Sequence, residues 1–320
     1  MKKNFLLPGK SVLFLFLALV FAFSACANLR RGNVPGSTAA NPIIRAENIY
    51  LGCLADSSGG WQALLSEIET AGKYIKLDLS ASTMSGAAFN PDPRVAAGKR
   101  FIVSLILPDA ATSINNWAPL PGSNSPTFSK FSQLQEVVGA NITHIGNSAF
   151  AGSANLTSAY FPLAESIGNF AFRYSGLIRA YFPQAVTIGN NAFAGSASLV
   201  SAYFPRAASV GNLAFAGCEN LTSISLPQVS SIGNMAFESC PALTGITLGH
   251  FPPTLGWGLF NNGGTQARTV TFYVPDIGAY TAAAAPWAAM MGPWTSLIGH
   301  FWDLHPDHRQ FLTVHLTQIN

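Results

Sequence analysis

The sequence predicts a repeat solenoid, mainly β with short helical turns, in which each coil adds one short strand to a continuous parallel face. Three observations predict it. A hexapeptide I-G-N-x-A-F recurs at Ile145, Ile167, Ile188 and Ile232, and as V-G-N-L-A-F at Val210. Its phenylalanines, Phe150, Phe172, Phe193, Phe215 and Phe237, stand 22, 21, 22 and 22 residues apart. Between them a second block, L-x-x-A/I-x-F/L-P, returns at 156–162, 177–183, 199–205 and 221–227, and without its proline at 243–249. A fixed period of this length is the mark of coils stacked one on another.

Residues 1–25 read as an export signal. Lys2, Lys3 and Lys10 form a basic start, and 11–23 is an apolar run too short for a spanning helix. It ends in Phe23-Ser24-Ala25-Cys26, which resembles the lipobox of bacterial lipoproteins, with Phe where Leu is usual. The resemblance implies lipid attachment at Cys26, and Ala27 in place of Asp implies release from inner-membrane retention toward the outer membrane. An ordinary cleavage site beside an incidental Cys26 is the alternative. Residues 26–47 lack apolar periodicity, carry Gly, Pro, Ser and Asn, and read as a flexible tether.

Residues 48–100 read as an N-terminal cap of helix and strand. Trp61, Leu64, Leu65 and Ile68 have helical spacing, Gly72 suits the position after a helix, and 74–79 reads as a strand. The array itself covers 101–275, with weaker copies at 102–108, 134–140, 256–260 and 269–275, so about eight coils are expected. L-x-x-I-x-L is the strand signature of leucine-rich repeats. Its strands stack into one face, I-G-N-x-A-F crosses the other, Gly permits a tight corner, and Ile and Phe fill the core. Residues 276–320 leave the period, contain Trp287, Trp294 and Trp302, and read as an irregular C-terminal cap.

Blocks such as I-G-N-N-A-F-A-G-S-A-S-L-V-S-A-Y-F-P and V-G-N-L-A-F-A-G-C-E-N-L-T-S-I-S-L-P closely resemble the BspA-like leucine-rich-repeat surface proteins of host-associated bacteria. The resemblance covers 102–275. It implies a cell-surface role, commonly adhesion to proteins of a host or neighbouring cell, and names no ligand.

Composition narrows the function classes. Charged residues make up 10% of the chain, against about 25% in typical soluble domains. Of 17 basic and 14 acidic residues, Lys2, Lys3 and Lys10 precede the expected cleavage site, so the mature chain is formally neutral. Nucleic acid, which demands a basic footprint, is not an expected partner. From 134 to 249 the charged residues are Glu136, Glu165, Arg173, Arg179, Arg206, Glu219 and Glu238, with no two acids in one repeat. Paired titratable groups are missing, and no enzyme is expected. His305, Asp307, His308 and His315 hold the ligand types of a metal site, yet Pro306 interrupts them and they read as polar cap surface. No metal or other cofactor is expected.

Cys218 and Cys240 share one repeat position, so they are neighbours in the stack, either as a disulfide or as two buried thiols, the favoured reading; Cys53 has no visible partner. The Asn141, Asn155 and Asn220 sequons read as products of the repeat.

The strand face carries the candidate site. In L-x-x-A-x-F the first, fourth and sixth residues face the core, and the second, third and fifth face outward. The fifth position runs Ile106, Val138, Tyr160, Tyr181, Tyr203, Ser225, Thr247 and Tyr273. Tyr160, Tyr181 and Tyr203 are expected to form an exposed ladder, with Ser158, Arg179 and Ser201 beside it. Tyr and Arg offer rigid contact area with a polar end and are enriched at binding hot spots. The alternative use for such a ladder is cross-strand stabilisation of the sheet. The expected partner is an extracellular or cell-surface protein; a carbohydrate receptor and a structural envelope protein are the rival functions.

Overall fold

The computed structural model describes residues 60–84, 86–91, 97–115, 127–128, 130–260, 268–276 and 279, and the strand backbones at 28–30, 43–47, 50–51 and 312–318. The chain winds into a solenoid with a strand face on one side and short strands on the other. Front strands run Ile75–Asp78, Ile102–Ile106, Glu136–Val138, Ser158–Tyr160, Arg179–Tyr181, Ser201–Tyr203, Ser223–Leu226, Gly245–Leu248 and Arg268–Val274. From Ile102 onward these are the eight coils the period predicts. All front neighbours that pair do so in parallel. The back strands, from Ala88–Phe89 to Thr254–Leu255, form one continuous eight-stranded sheet.

Amphipathic spacing explains the helix α1, Gly60–Ala71. Trp61, Leu64, Leu65 and Ile68 are all buried, and Gly72 follows at φ 59°, the left-handed conformation that ends a helix. The strand behind it, Ile75–Asp78, belongs to the front sheet and has its own back strand, Ala88–Phe89, so the N-terminal segment carries a full further coil. The sheet also reaches into 26–47. Ile43–Glu47 pairs in parallel with Ile75–Asp78, and Asn28–Arg30 pairs antiparallel with it, because an open strand edge is a template for whatever extended chain lies nearby. This corrects the tether reading over those residues. At the other end Leu312–Gln318 pairs in parallel with Arg268–Val274, so the C-terminal segment closes the sheet with a regular strand.

The core is built of columns. Rings stack from Phe128 through Phe150, Phe172, Phe193 and Phe215 at centroid spacings of 4.4, 5.2, 5.3 and 5.1 Å, and continue to Phe237 and Phe260. Phe182 and Phe204 stack in a second column beside it. No single coil could bury these rings alone.

The crossings are single turns closed three residues back, as Ala149 to Gly146 and Ala151 to Ser148, and they do not lengthen into α-helix. The reason lies in the amide donors. Phe150, Phe172 and Phe193 each donate their N–H to the carbonyl of the next coil, at Ala171, Ala192 and Ala214, instead of to a carbonyl four residues back. The I-G-N glycine serves close approach, not a corner: a Cβ on Gly168 would meet the backbone N of Asn147 at 2.7 Å. The left-handed residue comes two places later, at Ser148, Phe170, Asn191, Leu213 and Met235.

Candidate functional site

Each outward position of the front face takes its place from the strand it sits on. Ile106 pairs with Val138, Val138 with Tyr160, Tyr181 with Tyr203, Tyr203 with Ser225, Ser225 with Thr247, and Thr247 with Tyr273. The fifth-position column is thus continuous except at one point. Tyr160 and Tyr181 are not partners, because the front face is two six-stranded sheets that meet between Ser158–Tyr160 and Arg179–Tyr181. The back sheet runs through unbroken, with Ser166 opposite Thr187.

That break reshapes the candidate site. Tyr160, Tyr181 and Tyr203 are 51%, 51% and 43% exposed, but only Tyr181 and Tyr203 stack, at 5.5 Å between centroids and 6° between planes. The ladder is a pair with Tyr160 standing apart. Arg179 pairs with Ser201 in the third position, Arg179 exposed and Ser201 half-buried, whereas Ser158 is exposed and pairs with Glu136 on the other sheet.

The second position supplies residues that the repeat pattern alone leaves beside the site. In three coils a threonine there turns its hydroxyl onto the previous coil, Thr157 to the carbonyl of Gln135, Thr222 to that of Val200 and Thr244 to that of Thr222. Ile178 and Val200 replace that hydroxyl with exposed apolar surface. Ile178, Arg179 and Tyr181 on one coil therefore stand beside Val200, Ser201 and Tyr203 on the next. Arg179 is the single charge of this patch and forms no ion pair among the described residues. Two tyrosines, two aliphatics and one guanidinium thus share one exposed patch, the residue types that give contact area with a polar end.

On the back, a shallow groove of about 510 Å³ is lined by Ser113, His144, Ser166 and Thr187 over the backbone of Gly146 and Gly168. It contains no carboxylate. The asparagines of I-G-N run along it and hold the coils together. The Oδ1 atoms of Asn147, Asn169, Asn190 and Asn212 accept the backbone N–H of Asn169, Asn190, Asn212 and Asn234, at 2.7 to 2.8 Å. The repeat sequence displayed these asparagines every 21 or 22 residues, which was the available signal for the chain of hydrogen bonds.

Cys218 and Cys240 are buried free thiols. Their Sγ atoms donate to the carbonyls of Phe193 and Phe215, as the Ser196 hydroxyl does to Phe172, so three coils place a small buried donor here. Burial, with the neighbouring Cys240 adding to it, pushes the Cys218 thiol well above the ordinary cysteine range. Cys26, Cys53, Asp307 and the histidines at 305 and 308 lie outside the described residues; His315 falls in the strand Leu312–Gln318.

The fold and this surface define a leucine-rich-repeat solenoid of the binding or structural kind. Six copies of the BspA type leucine rich repeat region match over residues 99–207 and 186–281, and the chain belongs to that family. Its members are typically cell-surface proteins. Among solved structures the chain is similar to a leucine-rich repeat protein from Bacteroides ovatus, with 17% identity over 77% of this chain and 70% of that one and a TM-score of 0.39. It is also similar to a leucine rich cell surface protein from Faecalibacterium prausnitzii, with 15% identity over 79% and 83% and a TM-score of 0.28. No curated protein matches in sequence.

Proposed function

We propose that the chain is a surface lipoprotein, held by lipid at Cys26 in the outer membrane, that binds a protein of a host or neighbouring cell through the front face. The observation that carries the reading is the stacked, exposed pair Tyr181 and Tyr203 with Ile178, Val200 and the unpaired Arg179 around it. Water gains nothing from contact with such a patch. A partner that covers it buries the apolar area and meets a guanidinium free to pair. Tyr160 and Ser158 flank the patch across the sheet break and extend the contact area. Arg179 is the charge within this patch and sets its electrostatic preference.

The test is binding of the purified protein to intact cells and to their solubilised surface proteins. Changing Tyr160, Tyr181 and Tyr203 together to Ser should leave the circular dichroism spectrum unchanged and weaken capture by about 30-fold or more, the scale of losing a hot spot of about 2 kcal/mol. Arg179→Ala should lower both affinity and its salt dependence. Full binding by a folded triple variant would place the contact elsewhere.

A further inference from the structure

One coil carries aromatic and guanidinium bulk at the corner where the crossing returns to the front face. After the core Phe, three coils place Ala-Gly at Ala151-Gly152, Ala194-Gly195 and Ala216-Gly217, the Phe237 coil places Glu238-Ser239 with Ser239 at φ 50°, and this one places Arg173-Tyr174 after Phe172. Tyr174 keeps the backbone of the glycines it replaces, at φ 55° against 73°, 69° and 71°, a conformation unfavourable to a bulky side chain. Nothing in the core requires it. Its ring is 54% exposed, and its Cδ1 and Cε1 edge occupies the space where a Gly195 side chain would stand. On the opposite neighbour, Gly152, a Cβ would meet nothing within 4 Å.

The Arg173 guanidinium lies over the Tyr174 ring at 4.6 Å and beside the exposed Phe170 ring at 5.6 Å. One nitrogen, Nη2, donates to the Tyr174 hydroxyl at 3.1 Å, and Nε is buried without a partner. Arg173 forms no ion pair among the described residues. Two rings thus fix the plane of a fork whose charge is unmet, and that is the arrangement that receives a carboxylate.

We infer that Phe170, Arg173 and Tyr174 form a second binding site, separate from the front-face patch, for a sugar ring that carries a carboxylate. The acid pairs with Arg173, and the apolar face of the pyranose lies on the exposed aromatic surface. A peptide is disfavoured by the backbone: every amide from Phe170 to Gly176 already donates to a carbonyl of this or an adjacent coil, so no strand edge is open for main-chain pairing. Recognition here is by side chains alone, over an area of one or two rings.

The test titrates the purified full-length protein with sialyllactose, with a glucuronate-terminated oligosaccharide and with lactose, read by ligand-observed NMR. Both acidic probes, or one of them, should bind at least about tenfold more tightly than lactose, and which of them binds separates a sialylated source from a uronate-containing one. Tyr174→Gly and Arg173→Ala restore the residues of sibling coils, so both variants should fold, and each should lose the acidic sugar. The Tyr160, Tyr181 and Tyr203 triple variant should retain it, which keeps this site's outcome independent of the front face. Equal binding of lactose, unchanged binding by folded Tyr174→Gly, or displacement of the sugar by a glutamate-rich peptide at equal concentration would each overturn the inference.

Discussion

Phe193→Ala is the most informative perturbation of the array. The Phe193 side chain is fully buried and touches four rings: Phe172 and Phe215 stack on it at 5.3 and 5.1 Å, and Phe182 and Phe204 tilt against it at 6.0 and 5.8 Å. Truncating a core Phe costs about 3 to 5 kcal/mol, and each aromatic pair adds about 0.5 to 1.5 kcal/mol beyond area, so the upper end of the range applies. Phe237 provides the internal control, since its ring contacts are Phe215 at 5.8 Å and Phe260 at 6.0 Å. Phe237→Ala should therefore cost about 3 kcal/mol, and Phe193→Ala about 5 kcal/mol. Urea unfolding followed by circular dichroism measures both, and the Phe193 variant should melt about 10 to 20 °C lower. A loss below about 1 kcal/mol, or a larger loss at Phe237 than at Phe193, would refute the stacked core.

Four further outcomes are expected. Asn190→Ala leaves the amide of Asn212 without its acceptor and should cost about 1 to 2 kcal/mol, although Asn190 itself is exposed; a neutral effect on the unfolding midpoint would show that the asparagine chain does not stabilise the stack. The raised Cys218 thiol should remain unreactive toward a thiol reagent in the folded protein and react on unfolding. Because its folded-state pKa lies above the unfolded one, its contribution is intact below about pH 8.5 and declines as pH rises beyond that, so Cys218→Ser should flatten the alkaline fall in stability. Cys26→Ser should abolish acylation and release the chain from membranes in a detergent-partition assay, and a variant that still partitions like wild type would remove the lipid anchor from the proposal.

What the sequence made legible was whatever repeats. The period located every front strand from Glu136–Val138 to Gly245–Leu248, and alternation within L-x-x-A-x-F separated Tyr181 and Arg179, which face water, from Leu177, Ala180 and Phe182, which do not. Contacts between coils were not legible, because a linear motif shows a residue type without its neighbour. The glycine of I-G-N reads as a corner but answers to the backbone of the previous coil, and Ser196, Cys218 and Cys240, which share one repeat position, donate to the carbonyls of Phe172, Phe193 and Phe215. The strand Ile43–Glu47 was hidden for another reason: its place depends on the edge offered by Ile75–Asp78, not on any pattern of its own.

The 21-residue step in the phenylalanine spacing had a consequence larger than one missing residue. Sibling coils run Ser-Ala-Asn-Leu at 153–156 and Cys-Glu-Asn-Leu at 218–221, and the Asn155 and Asn220 amides there donate to the carbonyls of Ser132 and Ala197 one coil back. The short coil runs Ser175-Gly176-Leu177 and has neither the residue nor the bond. Gly176 is confined against the carbonyl of Ala154, where a side chain would collide, so the chain reaches its front strand by a shorter path. The back strands, placed before the deletion, keep their register, while the front ladder opens between Tyr160 and Tyr181. A solenoid tolerates such a local fault because each coil answers only to its neighbours. The coil that bears the fault also bears Phe170, Arg173, Tyr174, Ile178, Arg179 and Tyr181, the densest run of exposed aromatic, aliphatic and guanidinium groups in the array. The departure from the repeat and the exposed aromatic and guanidinium groups thus fall on the same coil, because the shortened corner and the front strand that follows it belong to one stretch of chain, 170–181.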